Sequence, residues 1–172
     1  SPLLRLQAGV FDPLDDPEPI GDSHNLHLAA YPGDGAGYYI VQFAGPVTTA
    51  SRQLLASLGA ALQDYLPDYA LVVKMDNAIR EELQKAPVVR WIGLYQPAYR
   101  ISPLLSHLVS EPLGGGTVEV MVSIFAGEDV GPVIEQLKAG EATVLEQSQT
   151  HWQSKLHVAM DPAHLADLAS LS

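Results

Sequence analysis

The feature that restricts this chain most is an internal echo. Phe43-Ala44-Gly45, then Leu58-Gly59-Ala60, then Met75-Asp76 return in the same order as Phe125-Ala126-Gly127, a looser Ala139-Gly140-Glu141, and Met160-Asp161. The offsets are 82, 81 and 85 residues. A near-constant offset is the mark of a duplicated unit, so one small fold written twice has to account for most of the chain.

Within the first copy, residues 38–43 read as a strand, 49–58 as a helix, 60–66 and 69–75 as strands, 77–86 as a helix and 88–95 as a strand. Gly45-Pro46 stops the first strand because proline cannot donate to a ladder, and Thr48 or Thr49 offers a hydroxyl to the free amides of the next helix. Leu54, Leu55, Leu58 and Leu62, at spacings of three and four, give that helix its sheet-facing side, and Gly59 ends it. Pro67-Asp68 turns the chain, and Asp76 caps a second helix that buries Ile79 and Leu83 and stops before Pro87. This is the βαββαβ order of a ferredoxin-like unit.

The second copy reads as a strand over 117–125, a helix over 132–139 burying Val133, Ile134 and Leu137, strands over 142–149 and 155–160, and a helix capped by Asp161 with Pro162 at its first position. In the first copy the last strand starts twelve residues after Asp76, and twelve residues after Asp161 is position 173. The expected fold is therefore α+β: two tandem ferredoxin-like βαββαβ units with antiparallel sheets, the second lacking its last strand. Residues 1–37 form an extended arm too rich in Pro, Gly and Asp to pack by itself, 38–103 the first unit, 104–116 a linker carrying Gly114-Gly115-Gly116, and 117–172 the second unit. The missing strand leaves 117–125 as a Val-rich open edge to be covered, either by the arm segment from Leu3 to Gly9 or by another copy of the chain.

Strand residues alternate between faces. Setting Phe43, Met75 and Trp91 toward the helices puts Tyr38, Ile40, Gln42, Val72, Lys74, Val88, Arg90 and Ile92 on the open side, and setting Met121 and Phe125 inward sends Val118, Val120, Val122 and Ile124 outward. Faces so apolar mark interaction surfaces, and Tyr38, Ile40, Val72, Val88, Ile92, Val118, Val120 and Val122 are the candidate partner-binding residues. The alternatives are that the two units stack their sheets on each other, or that the faces are displaced by one residue.

At 172 residues and 47% hydrophobic content the chain has enough apolar matter for a real core. No apolar run is long enough to span a membrane and no secretory leader opens the chain. Zero cysteines exclude disulfides and thiolate metal sites and leave the compartment open. The net charge of −11 is uneven, −5 over residues 1–37, +1 over 38–103 and −7 over 104–172, and it disfavours nucleic acid and anionic membranes as partners.

No catalytic constellation is legible. There is no Gly-x-Ser-x-Gly elbow and no glycine-rich loop between a strand and a helix, and the loops over 44–47 and 126–129 lack the Arg that an acylphosphatase needs. His24-Asn25-Leu26-His27 has no third ligand, and His107, His151, His157 and His164 stand one per element. No enzyme activity, metal or cofactor is expected.

The residues do suggest a family. Tyr38-Tyr39-Ile40-Val41-Gln42-Phe43-Ala44-Gly45-Pro46, Asp64-Tyr65-Leu66-Pro67-Asp68, Val88-Val89-Arg90-Trp91-Ile92-Gly93-Leu94-Tyr95 and Pro97-Ala98-Tyr99-Arg100-Ile101-Ser102-Pro103 resemble the N-terminal pro-region of bacterial subtilisin-like serine proteases, in particular those with two propeptide-inhibitor-like units. The resemblance covers 38–103 well and 117–172 more loosely. It implies a non-catalytic segment of a secreted protein that acts as an intramolecular chaperone and temporary inhibitor, packing its open sheet face on the protease catalytic domain. The inhibitory tail of such pro-regions would follow Ser172, so no tail residue is assigned. The rivals are a tandem ferredoxin-like regulatory module that takes a small ligand and a plain protein-interaction module.

Overall fold

A computed structural model describes residues 3–6, 9–15, 26–31, 35–102, 116–151 and 153–170. His24, Asn25, Pro103, His107, Gly114 and Gly115, singled out above, lie outside the described residues. The fold is α+β with antiparallel sheets and, among the described residues, four α-helices, and it divides into two units that part between Arg100 and Ile101.

In the first unit β1 (Leu4–Leu6) pairs antiparallel with β2 (Gly9–Phe11) as a short hairpin. A four-stranded sheet follows, made of β3 (Gly37–Phe43), β4 (Ala61–Leu66), β5 (Ala70–Met75) and β6 (Val89–Leu94) in the order β4-β5-β3-β6, every neighbour antiparallel. Helix α1 (Thr49–Leu58) joins β3 to β4, and α2 (Asn77–Gln84) joins β5 to β6. The Thr48 hydroxyl accepts the Ser51 amide 3.2 Å away while Ser51 reciprocates toward the Thr48 amide, which closes a capping box at the start of α1. Gly59 ends the helix at a φ of 85°, a left-handed conformation that only glycine takes without strain. Asp76 caps α2 through Ile79 N–H at 2.8 Å. Of the leucines expected to face the sheet, Leu55 is buried, whereas Leu62 lies in β4 and is exposed.

The second unit holds β7 (Val118–Phe125), α3 (Val130–Ala139), β8 (Thr143–Gln149) and β9 (Gln153–Met160), then a 3-10 turn over Pro162–His164 and α4 (Leu165–Ala169). Its three-stranded antiparallel sheet has the order β7-β9-β8. Asp129 caps α3 and Asp161 caps the 3-10 turn, each through a backbone amide at 2.9 Å. The core joins Val120, Ile124, Leu156, Val158 and Met160 of the sheet to Leu137 of α3 and Leu165 of α4.

Among the described residues, the strands of the arm pair with each other. Leu4–Leu6 pairs with Gly9–Phe11 and belongs to the first unit.

Candidate functional site

Register decides which side chains share a face. Ile40 stands opposite Val72 and Gly93, Gln42 opposite Ala70 and Trp91, and Tyr38 opposite Lys74; Val41 stands opposite Leu71 and Ile92. The Tyr39 hydroxyl donates to Asn77 Oδ1 at the start of α2, 3.2 Å away, so Tyr39 and Val41 face the helices and the Ile40 row faces outward. A bulge between Gln42 and Phe43 sets Arg90 and Trp91 together against one residue of β3. Trp91 therefore points outward and Ile92 toward the helices, opposite to the expectation from strict alternation, because alternation counted through a bulge slips by one.

The outer face is occupied by the chain itself. Leu4 and Phe11 of the hairpin pack against Ile40, Ala70 and Tyr99, with Trp91 and Tyr95 alongside. Tyr38, Ile40 and Val72 are 5%, 0% and 1% exposed, and of the first-unit residues expected to bind a partner only Val88 is open to solvent. The apolar surface expected to meet a partner is covered by the arm of the same chain.

Polar contacts fix the arm in place. Arg90 Nη2 donates to both carboxylate oxygens of Asp12, at 2.7 and 2.9 Å, and its Nη1 donates to Gln42 Oε1 at 2.8 Å. Leu14 N–H also donates to Asp12, at 3.1 Å. Asp12 and Gln42 are buried, and a buried charge persists only when it is paired and hydrogen-bonded as here. The Arg90 guanidinium, seconded by the Leu14 amide, holds the Asp12 carboxyl below the usual carboxylate range. Arg5 Nε donates to Asp68 Oδ2 at 2.6 Å, at a turn where Asp68 and Tyr69 both take positive φ.

Farther along, the buried Gln96 side chain accepts Leu28 N–H at 2.7 Å and donates to Leu28 O at 3.1 Å. Arg100 donates to the Tyr31 hydroxyl at 3.2 Å and places its guanidinium 5.4 and 5.5 Å from the ring centroids of Tyr38 and Tyr95. Burial raises the pKa of Tyr31 and Tyr95, with Arg100 acting against the rise. Sequence reasoning missed Asp12, Gln42 and Gln96. The signal was present in the charge balance: six acids in the arm against an Arg in an apolar strand ask for a pair.

In the second unit the faces are reversed from the expectation. Val118, Val120 and Val122 belong to the core with Ile124, while Met121 is 59% exposed on the other side. The cause is the echo itself. Thr49 to Val130 and Gly59 to Gly140 are both offsets of 81, so the residue matching Phe43 is Ile124; the Phe-Ala-Gly string, at 82, is one residue out of phase. A one-residue slip turns every strand side chain over.

The remaining outer face of this sheet is polar, and His157 Nε2 lies 3.0 Å from Glu119 Oε2 across it. A cleft of about 270 Å³ opens between α3 and α4, lined by Gln136, Leu137, Gly140, Met160, His164 and Asp167. In it His164 Nδ1 stands 3.4 Å from Asp167 Oδ2. Among the described residues no three His, Asp or Glu side chains gather as a metal site, and no helix is long and apolar enough to cross a membrane.

A family profile described as a domain of unknown function, DUF8729, matches residues 5–96. The match opens inside β1 and closes just beyond β6, so it takes in the hairpin together with the sheet that the hairpin covers. No curated protein matches the chain.

Proposed function

Because the chain belongs to the DUF8729 family, whose matched span unites hairpin and sheet, we propose that this span is a ferredoxin-like unit carrying its own strap, and that a second such unit, short of one strand, follows it. The chain then acts as the non-catalytic pro-region of a secreted bacterial subtilisin-like serine protease, as folding chaperone and temporary inhibitor of the catalytic domain. The observation that supports this reading is the strand order β4-β5-β3-β6 with a helix after β3 and after β5, which agrees with the βαββαβ pattern read in the sequence. Docking cannot use the covered outer face in this state. It falls to the apolar side chains left exposed around β4, namely Leu62, Tyr65 and Tyr69 at 46%, 55% and 36% exposure.

Two measurements test this. The reading frame after Ser172 should carry Asp-Ser/Thr-Gly, His-Gly-Thr and Gly-Thr-Ser in that order, and an unrelated domain there would remove the protease. If the motifs are found, the chain added in trans should slow peptide hydrolysis by that protease, and Tyr65→Asp should weaken the effect.

The cleft between α3 and α4 favours one second reading, a regulatory module that takes a small ligand against Gln136, His164 and Asp167. Thermal stabilisation by a metabolite mixture, abolished in Met160→Trp, would support it over the first.

A further inference from the structure

The two edges of the second sheet are built differently. At one edge, β8 carries a bulge between Val144 and Glu146 and a run of polar residues, Glu146, Gln147, Ser148 and Gln149, features that discourage further pairing. At the other, β7 runs eight residues in unbroken register with β9, without proline or bulge, and among the described residues no strand pairs with its far side. The single pairing of β7 shows in the core. Tyr39 and Val41 of β3, flanked by strands on both sides, are 2% and 0% exposed, whereas Val118 and Val122 of β7 are only half-buried although they point into the core.

We infer that β7 pairs antiparallel with β7 of a second copy of this chain, about a two-fold axis at Met121. Two properties of β7 favour its own copy as the occupant. The first is apolar symmetry: with the axis at Met121, Val118 meets the copy's Ile124 and Val120 meets its Val122, so the half-buried valine rows become one continuous row. The helices of both copies stay on the same side of a six-stranded sheet. The second is charge. In this register Glu119 of one copy lies opposite Ser123 of the other, and Lys155 is the partner of Ser123 on its far side in β9. A small serine between a carboxylate and an ammonium lets the two long side chains meet above it. Moving the axis to Val122 would instead set Glu119 against Phe125, beside the uncharged Gln153. Met121, the most exposed large apolar side chain of the described residues, becomes buried against itself at the axis. This inference concerns the second unit alone, and a strand laid along the far side of β7 by residues after Ser172 would overturn it.

The chain has no cysteine, so a single introduced one reports on proximity without background. In the full chain, Met121→Cys should form a disulfide-linked dimer under mild oxidation, whereas Ser148→Cys on the opposite edge should not. Light scattering should give twice the 18.4 kDa monomer mass at concentrations on the order of 100 µM, as fits a small interface. Met121→Asp, which opposes two carboxylates at the axis, should raise the dissociation constant at least about tenfold with unchanged circular dichroism. A monomer mass at every concentration, or cross-linking of Met121→Cys no faster than that of Ser148→Cys, overturns the proposal. A monomer whose outward β7 amides resist hydrogen exchange overturns it in favour of another segment on that edge.

Discussion

At the scale of single residues, the arm depends on one buried charge pair. Asp12→Asn keeps an acceptor for Leu14 N–H but gives Arg90 no counter-charge, and it should lower the melting temperature at neutral pH by roughly 5 °C for a unit of this size. The loss should depend on pH in a fixed direction. The Asp12 pKa is lowered in the fold, so its contribution is complete above the ordinary Asp value of about 3.9 and disappears as pH falls through the lower folded value. Wild type and Asp12→Asn should therefore melt apart at pH 7 and converge as the pH falls through the lowered folded value, which calorimetry across the acid range would check. A second residue-scale prediction concerns Gly93. A methyl group there would lie 2.1 Å from the Trp91 indole, which covers the glycine on the outer face. Gly93→Ala should displace the ring and cost about 1–3 kcal/mol, read as a lower melting temperature and a changed near-ultraviolet signal. The Trp-x-Gly pattern thus has a packing cause: the glycine lets an indole lie flat along its own strand.

At the scale of elements, the hairpin is the piece most open to manipulation. Phe11 is 4% exposed beneath it, and Phe11→Ala should cost about 3–5 kcal/mol. Because the hairpin is a small separate sheet, that cost should appear as local detachment: amides at Leu4–Leu6 should lose exchange protection and a hydrophobic dye should bind, while β3 and β5 stay protected. The elements themselves were legible in the sequence, since caps and breakers act locally. Thr48, Gly59, Asp76 and Asp161 terminate helices where their side-chain chemistry says they should. The faces were less legible. The bulge at Arg90 and the loop before Asp129, one residue shorter than the one before Thr48, both change the phase of a period-two pattern without changing composition. The cover over the first sheet was illegible because Leu4 and Phe11 meet Ile40 through contacts far apart in the chain, and no local rule records such distances.

At the scale of the whole molecule, the charge of −11 sets how copies meet. Two such chains repel at long range, so association through β7 should tighten when ionic strength rises from about 0.01 to 0.15 M, where the screening length shortens from about 30 to 8 Å. Sedimentation at the two salt concentrations would show it, and weakening with salt would instead give the leading role to the pairing of Glu119 with Lys155. The bulge in β8 then has a consequence for size. A sheet joined at β7 presents a β8 at each end, and both ends are kinked and polar, so growth terminates after one addition and the product is a closed pair, not a fibre. Removing Leu145, the extra residue at that kink, would convert a self-limiting particle into one with two extensible ends.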